Sequence, residues 1–164
     1  MTELMAVTEH AVCMSTVAAG LLLDTLDSSR ALVSLVDTGA ADDTARALLD
    51  EIAAALRESA GAGAVPAVWR AIAANPHYLE STWRKEQVVM GPGRLAERDK
   101  RRVALGVAMN ARARYMIEYH AAILRQAGDT DQDLLEVLGV VDHYNALNTL
   151  SDGMQIESDI RPPS

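Results

Sequence analysis

The stretch Gly93–Gly128, GRLAERDKRRVALGVAMNARARYMIEYHAAILRQAG, decides the reading of the chain. It reads as two helices meeting near Asn110–Arg112, with Gly128 placed to close the second as a left-handed cap. It also holds eight of the chain's 15 Lys and Arg against only three acids, Glu97, Asp99 and Glu118, inside a protein of net charge −8. A basic helical pair bearing His120 is thus embedded in an acidic chain.

Downstream, Thr130 with Asp133 resembles a capping box and opens a long helix to about Leu150, with Leu134, Leu138, Val141 and Tyr144 along one side and Gly153 to stop it. Upstream, Asn75 as cap and Pro76 at the first helical position start a helix from His77 to about Met90, stopped by Gly91, Pro92 and Gly93. A brief helix over about Ala67–Ala74 precedes it, behind a hinge at Gly61, Gly63 and Pro66. A strong helix is expected over about Asp43–Ser59, with Ala47, Leu48, Ile52, Ala55 and Leu56 as its apolar face. Ala31, Leu32, Leu35 and Val36 suggest a short helix capped from Asp27–Ser29, and a first helix runs from a Thr2 cap to about Leu26. The tail from Glu157 to Ser164, with Pro162 and Pro163, reads as extended or mobile.

These elements contain no strand-like alternation, so the class is all-α, and 164 residues suit one domain with a sizeable core. A pI near 4.9 argues against nucleic acid as a partner, because counterion release rewards a broad basic surface. The single cysteine, Cys13, excludes an intrachain disulfide and a Cys-x-x-Cys pair. Ala11–Leu23 is too short to span a bilayer, so no membrane association is expected and the reading is cytoplasmic.

The phrases VPAVWRAIAANPHYLESTW (65–83), Gly93–Gly128 and DLLEVLGVVDHYNALNTLSDGM (133–154) resemble the carboxymuconolactone decarboxylase and alkylhydroperoxidase D-like superfamily. The resemblance implies that helical bundle over residues 65–155, an extra N-terminal helical segment over 1–40, and a homo-oligomer. In the peroxidase branch a glutamate precedes a Cys-x-x-Cys by twelve residues, and a histidine follows the second cysteine by four. Counting back from His120 places Arg101 at the glutamate and Ala113 and Met116 at the cysteines. Neither alanine nor a thioether supplies a thiolate, so the resemblance implies the fold and argues against thiol peroxidase chemistry. Decarboxylase-type members lack the pair as well.

The expected function is therefore a cofactor-independent lyase or isomerase acting on a small anionic or carbonyl-bearing metabolite. His120 would move a proton, Arg101 would hold a carboxylate or oxyanion, and Tyr115 or Tyr119 would orient the substrate. Each has a bland reading too: a hydrogen-bonded core histidine, an arginine paired with a carboxylate such as Glu118, and tyrosines packed in the core. Trp83, Met116, Glu118, His143 and Asn145 complete the candidate binding residues. Arg98, Lys100 and Arg102 read as a solvated face. His120, His143 and Glu118 lack metal-ligand spacing, so no metal site is expected. The rival function is an inactive small-molecule binding or assembly module, with Leu4, Val7, Ala11 and Met14 docking on a neighbouring subunit or another protein.

Overall fold

The computed structural model describes residues 2–20, 31–60 and 64–157. Among these the chain forms seven helices and no strand: α1 (Thr2–Gly20), α2 (Asp43–Ala60), α3 (Ala67–Ile72), α4 (Pro76–Met90), α5 (Glu97–Asn110), α6 (Arg114–Gln126) and α7 (Asp131–Gly153). The expected all-α bundle is what the chain adopts. The side chain of Thr2, the stretch 21–30 with its caps at Asp27–Ser29, the glycines at 61 and 63, and the tail beyond 157 lie outside what the structure describes.

Local chemistry sets several boundaries. The Asn75 side chain accepts the Tyr78 N–H at 3.2 Å and Pro76 opens α4. The Thr130 and Asp133 side chains satisfy each other's backbone N–H groups in a full capping box at the start of α7. Arg112 (φ 55°) turns the chain between α5 and α6, and Gly128 (φ 92°) closes α6 in the left-handed region where glycine is unstrained.

The expected short helix at 31–36 is instead irregular chain. The backbone N–H of Val36 donates to the Arg70 carbonyl (3.1 Å), and Arg70 Nε donates back to the Val36 carbonyl (3.0 Å). Bonds to α3 thus replace helical ones, while Leu35 and Val36 pack against the main core.

α5 sits at the centre, in contact with α1, α4, α6 and α7. Its buried face is Lys100, Arg101, Ala104, Leu105 and Ala108, so Lys100 is no solvated residue. Its Nζ donates to the carbonyls of Val89 (2.9 Å) and Gly91 (2.8 Å) at the end of α4 and pairs with Glu3 of α1 at 2.7 Å. Three partners offset the cost of burying the ammonium. Arg98 and Arg102 are also tied down, both to the buried carboxylate of Asp129 between α6 and α7.

α1 packs on its own chain. Val7, His10, Ala11, Met14, Ser15 and Ala18 form one buried stripe at helical spacing against α4, α5 and α6. Val7, Ala11 and Met14 are therefore not available to dock on a neighbouring subunit while α1 holds this position, whereas Leu4 is exposed with Met5 and Val12 on the outer side of the helix.

Candidate functional site

α4, α5, α6 and α1 bring together four buried polar side chains: Glu86, Arg101, His120 and His10. Glu86 follows the inward positions Leu79, Thr82 and Trp83 of α4 at helical spacing. Arg101 precedes Ala104, Leu105 and Ala108 on the inner face of α5. His120 stands four residues after Met116 on the buried face of α6, and His10 lies in the stripe of α1.

One carboxylate binds two of the others. Glu86 Oε1 accepts from Arg101 Nη1 at 3.0 Å, and Glu86 Oε2 meets His10 Nε2 at 2.5 Å. Arg101 Nη2 also approaches Glu97 Oε1 at 3.5 Å. The counter-charge of Arg101 is thus Glu86, with Glu97, and not Glu118. Burial would raise the Glu86 carboxyl, but Arg101 and His10 outweigh it and hold the group at about 2, ionised at any ordinary pH. Burial, helped by the Arg101 charge and only partly opposed by Glu86, pushes His120 down to about 3, so its imidazole is neutral. His120 Nδ1 and His10 Nδ1 are both buried without a hydrogen-bond partner among the described residues.

Two spaces meet at Glu86. An enclosed chamber with room for about one water (≈ 10 Å³) is lined by Val7, His10, Met14, Trp69, Tyr119 and His120, among others. On the other side an open cleft of ≈ 580 Å³ is lined by Leu56, Glu58, Trp83, Gln87, Pro92, Glu97 and Arg101. Glu86 and Met90 line both. The cleft has the size of a small-metabolite site, and its walls carry three carboxylates and one guanidinium.

The sequence candidates divide accordingly. Met116, Tyr119 and His120 line the chamber, while Trp83 and Arg101 line the cleft. Trp83 packs edge-on against Trp69, ring centroids 5.4 Å apart, and Tyr119 stands edge-on to His120 at 5.1 Å. Burial pushes the Tyr119 phenol up, so it stays protonated. Tyr115 is turned elsewhere: its hydroxyl accepts the Val68 N–H at 3.2 Å and ties α6 to α3. Glu118 is exposed and pairs with Arg114 at 3.0 Å. His143 and Asn145 are exposed on α7, so the structure does not bring these three to His120.

Two members of the cluster escaped the sequence reading, Glu86 and His10. A signal for Glu86 was present: an arginine on the inner face of α5 needs a buried carboxylate, and Glu86 continues the inward spacing of α4. His10 is 76 residues from its partner, and nothing local announces the pairing.

The model of the carboxymuconolactone decarboxylase family matches residues 76–156. Among solved structures the chain is similar to the alkylhydroperoxidase AhpD core from Rhodospirillum rubrum, with 28% identity and a TM-score of 0.69, covering 79% of this chain and 94% of that one. No curated protein matches the chain. Glu86, Arg101 and His120 fall inside the family-matched segment, whereas His10 precedes it.

Proposed function

The chain belongs to the carboxymuconolactone decarboxylase and alkylhydroperoxidase D-like superfamily, and on that premise we propose that it is a thiol-independent enzyme performing proton transfer on a small carbonyl-bearing metabolite. Decarboxylation and isomerisation are reactions of this kind. The observation that carries the reading is the Glu86 carboxylate, shared by Arg101 and His10 on the boundary between cleft and chamber. With Nε2 of His10 bound to the Glu86 carboxylate, Nδ1 is the ring nitrogen left for a guest in the chamber, and the carboxylate fixes the orientation of the imidazole. His120, neutral in the same chamber, is a second acceptor or donor.

Arg101 has a narrower role than its charge suggests. Glu86 and Glu97 already compensate it, which favours an uncharged carbonyl compound over a carboxylate as the guest. Positions 113 and 116 hold Ala113 and Met116, both buried, and this supports chemistry without a thiolate.

The test is thermal stability of the wild type, Glu86→Gln and His120→Ala with small ketones, lactones, quinones and carboxylates. A ligand at about 100 times its dissociation constant adds roughly 2.7 kcal/mol. Stabilisation by uncharged carbonyl compounds that is lost in both variants is the expected result, and it supplies the class for a turnover assay. A response to carboxylates alone, or full turnover in both variants, would sink the reading.

Self-association belongs to the same proposal. Of the 23 residues of α7 only Leu134 is buried, and Leu138, Leu147, Leu150 and Ile156 are exposed along the helix and just beyond it. A long helix with apolar residues on several sides supports a homo-oligomer in which a second copy covers it.

A further inference from the structure

Among the described residues, Glu86 and Met90 are the two that line both the chamber that holds His120 and the cleft that opens to solvent, which places their side chains between the two spaces. The two are unequal as barriers. Glu86 is fixed from both sides by Arg101 and His10, and moving it would strip a buried guanidinium of its counter-charge. Met90 is held by packing alone, against Val7 and Val89, and its unbranched side chain with three rotatable bonds can change rotamer at small cost. It is also the last residue of α4, so the helix continues on one side of it only.

From this placement we infer that Met90 is the gate of the site: a small uncharged guest in the cleft reaches His120 when the Met90 side chain swings aside, passing along the fixed Glu86 carboxylate. The inference deepens the proposed function by assigning the route and the residue that sets the size limit. Closed, the chamber has room for about one water, so any larger guest requires the movement. The apolar rims of the passage, Met90 itself with Val7 and Met14 beyond it, favour uncharged guests over carboxylates.

The four histidines make the gate measurable without a known substrate. His77 and His143 are exposed, and His10 and His120 are in the chamber. Diethyl pyrocarbonate is a small uncharged electrophile that acylates neutral imidazole, and peptide mass spectrometry resolves its rate at each histidine of the full-length chain. Wild type should react at His77 and His143 and be protected at His120. Met90→Ala should raise the His120 rate by about tenfold or more, as expected when a local opening step is removed. Met14→Ala removes a methionine from the chamber wall on α1, which does not line the cleft, and should leave His120 protected. If Met90→Ala loses its helical circular dichroism, Met90→Val serves in its place and should give a smaller rise in the same direction.

Continued protection of His120 in the folded Met90 variant would overturn the gate. Equal exposure in the Met90 and Met14 variants would overturn it too, because general loosening would then account for the reactivity. Either failure leaves the Glu86–His10 reading standing on its own ligand test, and a failed ligand test leaves the gate to this one.

Discussion

At the scale of single residues, the Glu86 carboxylate compensates a buried guanidinium and binds a buried imidazole. Replacing Glu86 by Ala leaves the 4%-exposed Arg101 without its main partner, and breaking such a pair on one side costs about 3–5 kcal/mol. The double variant Glu86→Ala, Arg101→Met should recover much of that loss, since it removes the stranded charge; urea unfolding of the single and double variants checks the order. The pH dependence follows from two depressed groups. His120 lies at about 3 in the fold against an ordinary 6.5, and Glu86 at about 2 against 4.5. In both cases the unfolded chain takes up the proton first, so the contribution is complete above the ordinary value and is lost as pH falls toward the folded one. Between pH 6.5 and 4.5 His120 is the member of the pair that acts, at a slope of about 1.4 kcal/mol per pH unit. His120→Gln should therefore flatten the fall in urea midpoint across that interval relative to wild type; parallel curves would show that the imidazole is charged in the fold. His120 was legible in the sequence as a candidate, whereas its neutrality was not. That property depends on Arg101 and on burial by α1, α4 and α5, which only the assembled fold supplies.

At the scale of elements, legibility tracks how local the stabilising chemistry is. α4 and α7 announce themselves because Asn75, Pro76, Thr130 and Asp133 act within three residues of the backbone groups they satisfy. The 31–36 segment misleads because its decisive bonds run to Arg70, more than thirty residues away. Lys100 misleads for the same reason, its partners being the end of α4 and Glu3. α1 is the sharpest case. Its stripe was visible, but the sequence did not say whether it served this chain or another. Since Val7, Ala11, Met14 and Ala18 are buried within the chain, deleting residues 2–20 should cost about 5 kcal/mol of apolar burial, comparable with the whole stability of a small domain. The truncated chain should lose cooperative thermal unfolding by circular dichroism. A truncated chain that melts as sharply and as high as wild type would show that α1 contributes no core.

At the scale of the whole molecule, the basic central pair looks in sequence like a surface awaiting an anion, and the structure pairs six of its eight cations with carboxylates of the same chain. Lys100 goes to Glu3, Arg101 to Glu86 and Glu97, Arg98 and Arg102 to Asp129, Arg114 to Glu118 and Arg125 to Asp131. Among the described residues the exposed large apolar side chains are most numerous on α7, where Leu135, Leu138, Val140, Leu147 and Leu150 lie. Leu147 and Leu150 are 44% and 56% exposed, and neither takes part in a core cluster among the described residues. A charge placed there costs the isolated chain little, since exposed substitutions away from caps and cores shift stability within about 0.5 kcal/mol. In an assembly that covers α7, the same charge is buried without a partner at several kcal/mol per copy, repeated at every interface by symmetry. Leu147→Asp combined with Leu150→Asp should therefore reduce the mass measured by light scattering to that of one chain while leaving the melting curve of the helical core in place. Val88→Asp adds the same charge at an 82%-exposed apolar site on α4 and should leave the mass unchanged. An oligomer that survives the α7 pair but dissociates with the Val88 change would move the interface to the α4 side, next to the cleft, where a second copy would wall the site itself.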